Sequence, residues 1–143
     1  MLNCGAFMSL PAPKEPLFFR RIAKPTVWGG HRLAGMLGFG SGQAEEPSRV
    51  ATKMQAAGPI GETWELSDYP GMETPVRGGI FDGVLLQQFM EEHSDEILGE
   101  SRPDQNGRFP LLVKFIDAEA DLSVQIHPPD GPLSPTGIGK TEA

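Results

Sequence analysis

Cysteine is almost missing from this 143-residue chain. Cys4 stands alone, which excludes an intrachain disulfide and a cysteine-rich zinc site. No apolar run approaches the ~18 residues that a membrane-spanning helix needs. Positive charge is also scarce: 12 Lys and Arg stand against 19 Asp and Glu, for a net charge of −7. No basic cluster exceeds Arg20-Arg21, so the footprint of a nucleic-acid or anionic-membrane binder is missing. Residues 1–13 lack the basic start and apolar block of a secretion signal. These absences lead to the expectation of a soluble cytoplasmic protein.

Glycine and proline are plentiful instead. The 18 Gly and 14 Pro are spread along the chain without a collagen-like period, which points to short strands joined by many turns. Residues 1–16 contain three prolines in their last six positions and read as an irregular lead-in. Residues 17–143 then read as one domain. Glu62-Thr-Trp-Glu-Leu-Ser67 alternates and ends at a Asp68-Tyr-Pro-Gly71 turn, the pattern of a strand. Shorter strands are predicted around Arg49–Lys53 and Thr74–Arg77. Phe109-Pro-Leu-Leu-Val-Lys-Phe-Ile-Asp117 is strongly β, and its short connection to Leu122–His127 predicts an antiparallel hairpin.

One helix is predicted, over Gly83–Leu98. Asp82 is its candidate N-cap, Leu85, Leu86, Phe89, Met90, Ile97 and Leu98 recur at near-helical spacing, and Gly99 occupies the C′ position. It reads as an amphipathic helix packed on a sheet. His93 lies among Glu91, Glu92, Asp95 and Glu96 and reads as a solvated surface histidine rather than a metal ligand.

The chemistry gathers near residue 125. Strand alternation in Asp121-Leu-Ser-Val-Gln-Ile-His-Pro128 sends Leu122, Val124 and Ile126 to a core face, and Ser123, Gln125 and His127 to the other. Gln125 and His127 are thus neighbouring groups able to ligate a divalent metal, as is Glu142. A lone polar-face histidine is more often simply solvated, so the pair is suggestive and not decisive. Gly137-Ile-Gly-Lys-Thr141 has the ending of a phosphate-binding P-loop, but Ser134 stands where its first glycine belongs, and the match is rejected.

Five strings in order carry more weight: Trp28-Gly-Gly30, Gly61-Glu-Thr-Trp-Glu-Leu-Ser67, Phe109-Pro-Leu-Leu-Val-Lys-Phe-Ile-Asp-Ala118, Leu122-Ser-Val-Gln-Ile-His-Pro128 and Gly139-Lys-Thr-Glu142. Together they resemble the N-terminal part of type I mannose-6-phosphate isomerase in its short bacterial form, a member of the cupin superfamily. The resemblance runs from about Pro16 onward. It implies a mainly β fold with one or two helices, an incomplete cupin-type (jelly-roll) β-barrel truncated at the C-terminus. It also implies a Zn²⁺-dependent aldose–ketose isomerase that interconverts mannose 6-phosphate and fructose 6-phosphate through a cis-enediol(ate).

By that resemblance Gln125, His127 and Glu142 ligate the metal. Ser123 and Lys114 lie near the substrate, and Lys114 and Lys140 are the candidates for the catalytic group. The family's later histidine ligand and later arginine have no counterpart in this sequence. The expectation is therefore weak zinc binding and little or no activity from these 143 residues alone. The alternatives are a non-catalytic cupin-like module that binds a sugar phosphate or a metal, and an interaction piece completed by another chain.

Overall fold

The computed structural model describes residues 9–37, 58–124 and 131–132. In chain order the elements are β1 (Ile22–Gly30), α1 (Arg32–Met36), β2 (Ile60–Leu66), α2 (Leu86–Leu98) and β3 (Val113–Ile116), with a short 3₁₀ turn at Gly79–Phe81 before α2. The three strands form one antiparallel sheet in the order β1-β2-β3. The fold is mainly β with two helices, and the sheet is open among the described residues.

The predicted strand at 62–67 is thus the sheet's centre. Its register runs Ile22↔Trp64↔Lys114 and Ala23↔Thr63↔Phe115, with Lys24↔Glu62↔Ile116 one step farther on. Pro25 has no N–H to give the ladder, and the register shifts there. β1 then bends so that Gly29 crosses the start of β2. A methyl on Gly29 would lie 2.8 Å from the Gly61 Cα, and one on Gly61 would lie 2.6 Å from the Trp28 ring. Only glycine permits that crossing.

Two small apolar clusters flank the sheet. Ile22 and Trp64 pack with Met72 and Leu112, while Ala23, Leu33 and Ile60 pack with Ala34 and Leu37. Leu33 is brought in by α1, whose first N–H groups have no helical acceptors. Asp117, at the end of β3, supplies one: its Oδ2 accepts the N–H of Arg32 (2.7 Å) and of Leu33 (3.2 Å).

Helix α2 begins three residues later than predicted. Gly83 has φ +84°, which no right-handed helix contains, and Gly83 and Val84 instead bond to Val76: Gly83 N–H donates to the Val76 carbonyl, and Val76 N–H to that of Val84. Asp82 is therefore not the cap. It accepts from Gly78 N–H and pairs with Arg20 at 2.6 Å. The Gln88 side chain accepts the Leu85 N–H instead. Gly99, at φ +60°, ends the helix as expected. Leu86, Phe89 and Met90 form the buried stripe, and Phe81 meets Phe89 edge to face at 5.2 Å.

Around 74–77 the structure has isolated bridges, Phe19↔Val76 and Pro75↔Leu85, rather than a full strand. β3 occupies the second half of the strand predicted at 109–117. Its sheet partner is β2, and Leu122–Val124 stay outside the sheet with Leu122 and Val124 exposed. The strand predicted around 49–53 and residues 125–127 lie outside the described residues.

Candidate active site

The register of the sheet, more than any single motif, assembles charge on one face. Cross-strand partners share a face, so Ile22 and Lys24 from β1, Glu62 and Trp64 from β2, and Lys114 from β3 stand together. Lys114 Nζ lies 3.3 Å from Glu62 Oε1, and Trp64 Nε1–H donates to Glu62 Oε2 at 2.8 Å. The Lys24 ammonium sits 4.1 Å from the centre of the Trp64 ring, a cation–π contact. One carboxylate is thus held by an indole and flanked by two lysines.

Partial burial works against the Glu62 charge, yet the Trp64 N–H, then Lys114 and Lys24, outweigh it and hold the carboxyl below its usual range. Glu62 is therefore ionised at neutral pH. Its side chain is 15% exposed and that of Lys114 24%, so both can be reached by a solute. Two ammonium groups around one carboxylate leave a local surplus of positive charge on an acidic protein. Such a face can attract an anion while offering an acceptor to a hydroxyl.

The opposite face is different in kind. Ala23 and Thr63 are buried there, and Arg21 Nε pairs with Glu65 Oε2 at 3.1 Å.

A second carboxylate–cation site lies at the far end of β2. Asp68 has a fully buried side chain, and Arg108 bonds both its carbonyl (2.7 Å) and its Oδ1 (3.2 Å). The Phe109 N–H donates to the other oxygen at 2.9 Å. Burial raises the Asp68 carboxyl above its ordinary value, against the Phe109 N–H and Arg108 and with help from Glu73 and Asp104. Every strong partner here is spent on holding the 104–109 loop against the end of β2.

Of the residues singled out by sequence, Lys114 lies in the charged face, and Ser123 lies in the exposed stretch seven residues beyond β3. Gln125, His127, Lys140 and Glu142 lie outside the described residues. Among the described residues no group of three or more His, Cys, Asp or Glu side chains is placed to hold a metal. Sequence reasoning did not single out Glu62, Trp64 and Lys24, which meet Lys114 in this charged face. Alternation alone would put Glu62 and Trp64 on one face, but their meeting with Lys114 depends on the strand register.

The model of the phosphomannose isomerase type I catalytic domain matches residues 19–134. The chain belongs to this family. It is 36% identical over 131 residues to mannose-6-phosphate isomerase ManA of Bacillus subtilis, covering 90% of this chain and 36% of that protein. The mannose-6-phosphate isomerase of Streptococcus mutans is 35% identical over 130 residues, with 90% and 35% covered. The crystal structure of the mannose 6-phosphate isomerase from Bacillus subtilis superposes with a TM-score of 0.60 at 30% identity, over 80% of this chain and 31% of that one. The fold is accordingly of the cupin type, and the chain spans about a third of the length of the curated relatives it matches. No helix among the described residues is long and apolar enough to cross a membrane.

Proposed function

We propose that this phosphomannose isomerase family chain contributes the charged sheet face and metal-binding residues of an enzyme interconverting mannose 6-phosphate and fructose 6-phosphate in the cytoplasm. The family match over residues 19–134 carries the reading. The Lys24–Glu62–Lys114 face gives it a physical site, because a sugar phosphate presents an anion and several hydroxyls to be held at once.

Gln125, His127 and Glu142 would hold a divalent metal. Amide oxygen, imidazole nitrogen and carboxylate together form a donor set that zinc accepts. When bound, zinc supplies Lewis-acid stabilisation of the negative charge that develops on a sugar oxygen. The remaining work belongs to side chains. Isomerisation takes a proton from the carbon beside the carbonyl and returns it to the neighbouring carbon, through a cis-enediol(ate). Lys114, already oriented by Glu62, offers N–H donors to an anionic oxygen, and Ser123 offers a hydroxyl near the same substrate. Glu62, ionised, accepts a hydrogen bond from a sugar hydroxyl. Lys140, two residues before Glu142, is the second candidate beside Lys114 for moving the proton.

Because the chain spans about a third of its relatives' length, the 143 residues by themselves are expected to bind substrate weakly and to show little turnover. The test is cobalt substitution followed by optical spectroscopy, with mannose 6-phosphate added last. Protein-bound cobalt bands that vanish in His127→Ala and shift with the sugar phosphate support the reading. Bands that persist in His127→Ala and in Glu142→Gln contradict the metal assignment.

A further inference from the structure

His93 is not the solvated histidine that its acidic neighbours suggest. Its side chain is only 14% exposed, and it interrupts α2 with φ −140° and ψ 35°. The ring faces the lead-in segment: Nε2 lies 2.6 Å from the Leu10 carbonyl oxygen. The preceding residue completes the grip. Glu92 Oε2 accepts both the Leu10 N–H and the Ser9 hydroxyl, each at 2.8 Å. Two adjacent helix side chains therefore satisfy both main-chain groups of one residue in a segment that has no regular structure of its own.

The segment continues from this grip to form one side of a cleft of about 350 Å³. Pro13, Pro16 and Leu17 line it from the segment, and Leu86, Ile97 and Phe109 from the body of the protein.

Both nitrogens of His93 face acceptors. Nε2 meets the Leu10 carbonyl, and Nδ1 lies 3.5 Å from Glu96 Oε1. A neutral imidazole carries one N–H, so either tautomer turns a lone pair toward an oxygen. Only the doubly protonated ring suits both sides. Among the described residues the charged groups facing it are Glu96 and Glu92 of its own helix. The segment presents the Leu10 carbonyl, with Lys14 and Glu15 four and five residues farther along, at the cleft with Glu96.

We propose that residues 9–17 are a pH-gated strap, held tightly over this cleft while His93 is an imidazolium and loosened, on the Glu92 bonds alone, when the ring becomes neutral. The Leu10 carbonyl first, then Glu96 and Glu92, raise His93 above its ordinary 6.5. The His93 part of the grip is therefore fully present below about pH 6.5 and is lost as pH rises through the higher, strap-bound value. Glu92 is held below its usual range, by the Ser9 hydroxyl and the Leu10 N–H, and stays ionised throughout.

Amide hydrogen exchange tests this, with rates corrected for the intrinsic effect of pH. In the full chain, the protection factor of the Leu10 N–H is expected to fall severalfold between about pH 5.5 and about pH 8.5, which bracket histidine titration, while Thr63 in β2 is unchanged. In His93→Gln, which keeps a neutral amide donor, Leu10 protection should not depend on pH. An NMR titration of the His93 ring in the unmodified chain should give a value above 6.5. The proposal fails if Leu10 protection is flat with pH, if Thr63 falls in step with it, if His93→Gln keeps the full pH response, or if the ring titrates at or below 6.5.

Discussion

Glu62 and Asp68 stand six residues apart, and each is a partly or fully buried carboxylate paired with a cation. Their surroundings make opposite uses of the charge. Asp68 is saturated: Arg108 and the Phe109 N–H take both its oxygens, and its side chain has no exposure. Glu62 also has both oxygens engaged, but by side chains alone: the buried Trp64 indole and Lys114, which remains partly open to solvent. A carboxylate bound to backbone fixes a loop. One bound to a partly exposed lysine can exchange that partner for a solute, and that is the condition for a binding site. Counting ion pairs would not have separated the two.

The widest separation between them should come from truncation. Asp68→Ala takes the nearer carboxylate from the Arg108 guanidinium, which keeps only the residue-68 carbonyl and Glu73, and leaves the Phe109 N–H without its acceptor. It should cost about 3 kcal/mol of stability, read from urea unfolding. A loss below about 1 kcal/mol, the range of surface pairs, would erase the distinction. Lys114→Ala should shift stability by less than about 1 kcal/mol. It should nonetheless weaken mannose 6-phosphate binding about tenfold, ~1.4 kcal/mol, by calorimetry. Unchanged affinity would remove Lys114 from the site.

Trp64→Phe keeps a ring for Lys24 and removes one N–H donor. It should cost about 1 kcal/mol and let the Glu62 carboxyl rise toward its ordinary 4.5. The subtlest contrast lies in pH. Glu62, lowered, contributes stability above about 4.5 that is lost as pH falls through its folded value. Asp68, raised above 3.8, has the opposite sign: its contribution is complete below 3.8 and lost as pH rises through its folded value. Carboxyl-carbon NMR titrations should place Glu62 below 4.5 and Asp68 above 3.8. Shifts of the same sign would contradict the comparison.

Much of this was legible in sequence. The alternation of 62–67 marked the central strand, the spacing of Leu86, Phe89 and Met90 marked α2, and Gly99 marked its end. The five ordered strings led to the right family. The start of α2 was misread because Asp82 looks like a cap, while the backbone of Gly83, set by its bond to Val76, overrules it. β3 was readable as the second half of 109–117, but its pairing with β2 was not: sequence proximity favoured a hairpin with 122–127, of which 122–124 stand outside the sheet and 125–127 lie outside the described residues. The same long-range pairing hid the site. Glu62 and Lys114 are separated by 52 positions, and only the register Trp64↔Lys114 brings them together. His93 was misread for a related reason, since its acidic neighbours are local while its principal partner, Leu10, is 83 positions away.

The most direct test of the Glu62 face is to titrate mannose 6-phosphate into the ¹⁵N-labelled protein and follow two resonances. The Trp64 indole N–H should shift saturably, because its acceptor Glu62 and the neighbouring Lys114 meet the ligand, while the Phe109 amide locked on Asp68 should stay in place. An indole that does not move, or an indole and amide that move together, would contradict the assignment of this face as the sugar-phosphate site.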